Sequence, residues 1–135
     1  MAFKFRKVTR RKNIPHDSYI AMLSLRSAVS ELQEAIPDHG FTRHSLTLEQ
    51  LECFIEIAIH EGTTIGEIAE HTGTPRRNIS HHTFILSTDG HAGSNRPGLG
   101  WIKRVEGASE NLRVTTFYLT PRGKKVVADI AWSTA

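Results

Sequence analysis

Apolar residues first recur at helical spacing between His16 and Ile36. Met22, Leu25, Val29, Leu32 and Ile36 follow one another in steps of three and four, a narrow seam of the kind two helices share. Tyr19, Ile20 and Leu23 add a second apolar flank. A helix apolar on two sides needs two partners, one from its own domain and the other from a second copy of the chain. Pro37 and Gly40 stop it.

The next helix is announced by Thr47, with Gln50 three residues on completing a capping box. Leu48, Leu51, Phe54, Ile55, Ala58 and Ile59 read as its core face, and Gly62 ends it. Thr63, Thr64 and Ile65 form either a short strand or a lead-in to a third helix. Ile65, Ile68, Ala69 and Thr72 mark that helix and Gly73 closes it. A fourth helix is expected to run to about Ser87, with Thr74 as its cap and Pro75 at the favoured first position. The glycine-rich stretch Asp89–Gly100 reads as a loop. Trp101–Val105 and Arg113–Thr120 then alternate as a hairpin around a turn at Glu106–Leu112. Pro121 opens a last helix that buries Val126, Val127 and Ile130. The order is four helices, a hairpin and a helix: a mainly α chain with a small β hairpin.

Within this pattern, Thr64 to Leu86 carries the functional information. Ala69 is small where two helices would cross closely, Gly73 suits the tight turn between them, and Ile79 plugs the second helix onto the first. That spacing meets the demands of a helix-turn-helix. At 100° per residue, Ile79, His82, Thr83 and Leu86 face the core. Arg77, Ser80, His81 and Phe84 fall opposite, with Arg76 and Asn78 at the margins. Side chains of these types read base edges and phosphates, Arg pairing bidentately with guanine and Asn with adenine. Phe84 on a wet face is unexpected. It either meets a thymine methyl or packs under the hairpin, and packing is the preferred reading.

Charge sharpens the picture. The net charge of +3 divides into +6 over residues 1–12, −8 over 13–72 and +5 over 73–135. A basic arm and a basic second half around an acidic middle point to a polyanionic partner. Apolar content of 39% and charged content of 23% are ordinary for a globular domain. No segment has the length and apolarity of a membrane span or a signal peptide, so no membrane association is expected. One cysteine, Cys53, excludes an intramolecular disulfide, and a reducing, cytoplasmic setting is the default. Cys53 is expected to pack, on one flank with Ile57, against the first helix or a partner chain. Eight histidines are scattered over loops and helices without a chelating spacing, so neither metal nor cofactor is expected. The chain lacks a phosphate loop, paired carboxylates and a nucleophile elbow, so no enzyme is expected.

Residues 46–132 resemble the MarR family of winged-helix regulators. The strings that carry the likeness are LTLEQLECFIEIAIHEG, IGEIAEHTGTPRRNISHH, GLGWIKRVEG and NLRVTTFYLTPRGKKV, the last containing the Leu119-Thr120-Pro121-Arg122-Gly123 junction. The resemblance implies a winged helix-turn-helix with N- and C-terminal dimerisation helices. Its expected divisions are a basic flexible arm at 1–14, a dimerisation helix and linker at 15–45, a DNA-binding domain at 46–120 and a C-terminal helix at 121–135. It implies a homodimeric repressor on a pseudo-palindromic duplex, with Met22, Leu25, Val29, Leu32 and Ile36 at the dimer seam. The DNA contacts expected are Thr74, Arg76, Arg77, Asn78, Ser80 and His81 on the recognition helix, Arg96 in the loop, and Lys103, Arg104, Asn111 and Arg113 on the wing. The family often has Asp where Asn111 stands, so the ion pair that orients the wing arginine is lost here. Many relatives take a small phenolic effector, for which this chain has no distinct pocket pattern. Two rivals remain at this level: an architectural, replication or partition factor of a mobile element, and a winged-helix module that meets an acidic protein.

Overall fold

The computed structural model describes residues 16–36, 46–87, 98–107 and 114–133. Helix α1 spans His16–Ala35, α2 Leu48–Ile59, α3 Ile65–Thr72, α4 Arg76–Leu86 and α5 Pro121–Ser133. Strand β1 is Thr63–Thr64, β2 is Ile102–Glu106 and β3 is Thr115–Leu119. The expected arm at 1–14, the linker residues 37–45, most of the glycine-rich loop and the tip of the hairpin lie outside the described residues, and with them Arg96, Asn111 and Arg113.

Local chemistry accounts for the helix boundaries. Gln50 donates its backbone N–H to Thr47 Oγ1 at 3.1 Å, and Thr47 returns its own to Gln50 Oε1 at 2.9 Å. Thr64 and Glu67 repeat the same reciprocal box at the start of α3. The Thr64 backbone N–H, the largest contributor, holds the Glu67 carboxyl below its ordinary range. Gly73 closes α3 in the left-handed region at φ 74°, where a side chain would be strained, and donates its N–H to Ala69.

Helix α4 departs from the expected capping. Pro75 is the N-cap and Arg76 the first helical residue, and no side chain caps the helix. Thr74 instead donates its N–H to Thr72 Oγ1 at 3.3 Å, because Pro75 already fixes the entry angle. A second departure concerns α2. Its buried residues are Gln50, Cys53, Phe54 and Ile57, while Leu48, Ile55 and Ile59 are exposed. The helix is turned from the expected face because it packs on α3, α4 and β3 together. Cys53 and Ile57 therefore sit at the middle of the core.

The strands form one antiparallel sheet in the order β1-β3-β2. Thr63 faces Phe117, and on the other side Ile102 pairs with Leu119 and Arg104 with Phe117. The short strand left open between helices α2 and α3 thus exists, and it anchors the hairpin to the helix-turn-helix. Phe54 and Trp101 meet with ring centroids 5.1 Å apart at 57°, among Ile57, Ile68, Ile79, Leu86 and Phe117.

The junction at 119–123 is a dense backbone crossing. Thr120 donates its N–H to Trp101 O at 3.0 Å and its hydroxyl to Gly100 O at 2.6 Å. Gly123 donates its N–H to Thr120 Oγ1 at 3.0 Å, and a Cβ on Gly123 would fall 1.9 Å from Trp101 O. Only glycine lets α5 start this close to the hairpin. From there α5 runs back against α1 and buries Val126.

Candidate nucleic-acid interface

Helix α4 sorts its residues into two sides. Ile79, His82, Thr83 and Leu86 are buried, as the 100° projection predicts. Arg76, Arg77 and His81 are exposed, and Asn78, Ser80 and the preceding Thr74 are half-buried. The buried face is held in part by His82, whose Nε2 lies 3.2 Å from Glu49 Oε1 on α2. Thr83 and Ser87 turn their hydroxyls back to the carbonyls of Ser80 and Phe84. With its core side fixed in this way, α4 presents a basic N-terminal half outward, and that end has no side-chain cap. An uncapped helix N-terminus with two arginines is favourable for a phosphate.

The arginines differ in their surroundings. Arg76 turns back toward α3, where a Cβ on Gly66 would come 2.8 Å from its Nη2. It borders an open hollow of about 260 Å³ shared with Thr64, Ile65 and, at the start of β3, Val114 and Thr115. Arg77 projects from the exposed side. Arg104 is turned inward: its Cζ stacks 4.3 Å from the Phe84 ring centroid and 5.8 Å from that of Phe117. One of its guanidinium nitrogens, Nη1, is buried without a hydrogen-bond partner among the described residues. The guanidinium of Arg104, expected at a phosphate, lies against α4. Phe84, the aromatic on the wet side, is the surface it covers. Lys103, one residue earlier and on the other face of β2, is exposed.

The expected dimer seam divides as well. Met22, Leu25 and Val29 are exposed, at 57%, 56% and 40%, whereas Leu32 is buried in the chain's own core and Ile36 packs against it. Leu32 is therefore taken up inside the protomer, because α1 lies along α5. Tyr19, Ile20 and Trp132 are exposed apolar residues on the same two helices. Among the described residues, no helix is long and apolar enough to cross a membrane.

One contact that residue spacing did not anticipate lies on the opposite side of α3. His71 Nδ1 is 2.8 Å from Glu56 Oε2, and that carboxylate, first through the hydrogen bond, holds the imidazole above its ordinary pKa. His71 is fifteen residues from Glu56 and eleven from His60, too far along the chain to be paired with them by spacing.

Helix-turn-helix, uncapped basic helix and hairpin together define the winged-helix class. Solved structures extend that to a particular fold. A MarR family transcription regulator superposes with a TM-score of 0.54 at 16% identity, covering 98% of this chain and 73% of its own. The crystal structure of MarR does so with a TM-score of 0.54 at 22% identity, covering 89% of this chain and 75% of its own. The chain thus has the winged-helix fold of MarR-type regulators. No family model and no curated protein matches it in sequence.

Proposed function

We propose that this protein is a transcriptional regulator of the MarR type that binds double-stranded DNA as a homodimer and carries out no catalysis. The observation that carries the reading is the exposed N-terminal half of α4, with Arg77 and His81 outward, together with an exposed Lys103 on the hairpin. In this account α4 enters the major groove, where Arg77 reads a base edge and Asn78, Ser80 and His81 support it. Thr74, Arg76 and Lys103 hold backbone phosphates, and Arg104 braces the hairpin against α4 through Phe84. Arg96, Asn111 and Arg113 keep the roles that the sequence resemblance implies for loop and wing. Met22, Leu25 and Val29 form the seam with a second protomer, whose α4 reads the other half-site. A dimer seated across a promoter occupies duplex that polymerase needs, so the expected outcome is repression.

Two substitutions separate base reading from phosphate contact. Measured by fluorescence anisotropy over a salt series, Arg77→Ala costs about 1–3 kcal/mol on a selected duplex and relaxes preference at one position per half-site. Lys103→Ala weakens binding to every duplex alike and lowers the salt slope by about one per protomer. If both variants bind as the unmodified protein does, this face is not the interface.

A further inference from the structure

The geometry points to a binding site for a divalent transition-metal ion of the zinc class, formed by Glu56, His60 and His71 at the C-terminal ends of α2 and α3. Each residue offers one donor atom, and the three atoms lie within 4.8 Å of one another. Glu56 and His60 are one helical turn apart, so their side chains leave the same face of α2. His71, in the last turn of α3, closes the triangle from the other helix, its ring centroid 5.5 Å from that of His60. Two imidazoles and a carboxylate make a donor set that favours zinc over magnesium or calcium.

The spacing fits an ion with little rearrangement. Tetrahedral zinc holds nitrogen and oxygen donors about 2.0–2.1 Å away, hence about 3.3 Å from each other. The Glu56–His71 pair, at 2.8 Å, is slightly tighter than that. The remaining closure falls to His60 and His71, both exposed and so free to adjust their rings, while Glu56 is anchored with its side chain 17% exposed. Beyond the histidines lies an open hollow of about 450 Å³ lined also by Glu61, Thr63 and Glu67. It leaves room for water at a fourth coordination position. Glu67 itself is committed to the Thr64 capping box and is not a ligand.

The ion would tie α2 to α3 just ahead of the Gly73 turn that launches α4. A ligand that binds only the folded chain raises the folded-to-unfolded ratio by about a hundredfold at a free concentration one hundred times its dissociation constant.

The test uses tag-free full-length protein, titrated with zinc chloride by calorimetry and with cobalt(II) by visible absorption. The expected result is one zinc per chain, a tetrahedral cobalt spectrum, a raised Tm with zinc and no response to magnesium. His60→Ala and His71→Ala each lose at least about tenfold in affinity, in line with loss of a ligand, while His16→Ala, an exposed histidine on α1, loses none. Where His71→Ala fails to fold by circular dichroism, His60→Ala carries the comparison, since its ring lies at the surface. Zinc binding by His60→Ala equal to that of the unmodified chain, or an equal loss in His16→Ala, overturns the assignment.

Discussion

Arg77 and Arg104 have the same side chain and opposite surroundings, and what surrounds a guanidinium decides whether its hydrogen bonds are available. Arg77 is exposed on the outer side of α4, whereas Arg104 is laid over Phe84. Helical projection was enough to place the first on the outer side. It left the second as one more basic residue on a strand, since cross-element stacking has no signature in spacing. Cys53 is a similar case: counted as a flank residue, it is fully buried. Burial, and then the neighbouring Glu56 charge, push its thiol up to about 12 from 9.0. The folded chain therefore keeps a proton that the unfolded chain releases above pH 9. The stability this group contributes is whole below pH 9 and declines, by about 1.4 kcal/mol per pH unit, until pH reaches the folded value near 12. Urea unfolding from pH 8 to 10.5 should show that slope reduced in Cys53→Ala relative to the unmodified protein. Disulfide reagents at neutral pH should label Cys53 only on unfolding; rapid labelling of the native chain would contradict its burial.

Elements were the most legible level. The Thr47–Gln50 capping box, the Gly73 stop and the buried side of α4 follow from residue types at fixed offsets, a local code that the Thr64–Glu67 box also obeys although it was not read there. The face of α2 did not follow, because apolar residues lie nearly all round it and only the combined packing of α3, α4 and β3 selects Cys53 and Ile57 over Leu48 and Ile59. Nor did the reason for Gly123. In sequence it is a glycine in the first turn of a helix, where alanine is worth up to about 1 kcal/mol more. In the fold it is a contact with the Trp101 carbonyl that no Cβ tolerates. Gly123→Ala should accordingly destabilise by about 3 kcal/mol, the upper range for overpacking against an atom that cannot rotate away. Chemical denaturation measures it, and a neutral or stabilising result would mean that α5 does not start against the hairpin as described.

At the scale of the molecule, the sequence supplied the order of elements and the zoning of charge, and the fold turned these into an outward basic helix beside an anchored hairpin. The expected dimer seam met a limit of the same kind: a run of spaced apolar residues cannot say which of its members its own chain will bury, and Leu32 is buried. Leu25→Glu places a charge in the exposed part of that seam without touching the core, so it should yield a folded monomer by analytical ultracentrifugation. A variant still dimeric at micromolar concentration would move the interface elsewhere. The central claim, two copies of α4 reading a duplex, is tested most directly by selecting bound duplexes from a random pool with purified protein at a fixed salt concentration. The account predicts enrichment of a two-fold symmetric motif whose half-sites lie about 10 base pairs apart, one helical turn. A pool that emerges unenriched, or that fails to bind at all, would contradict it.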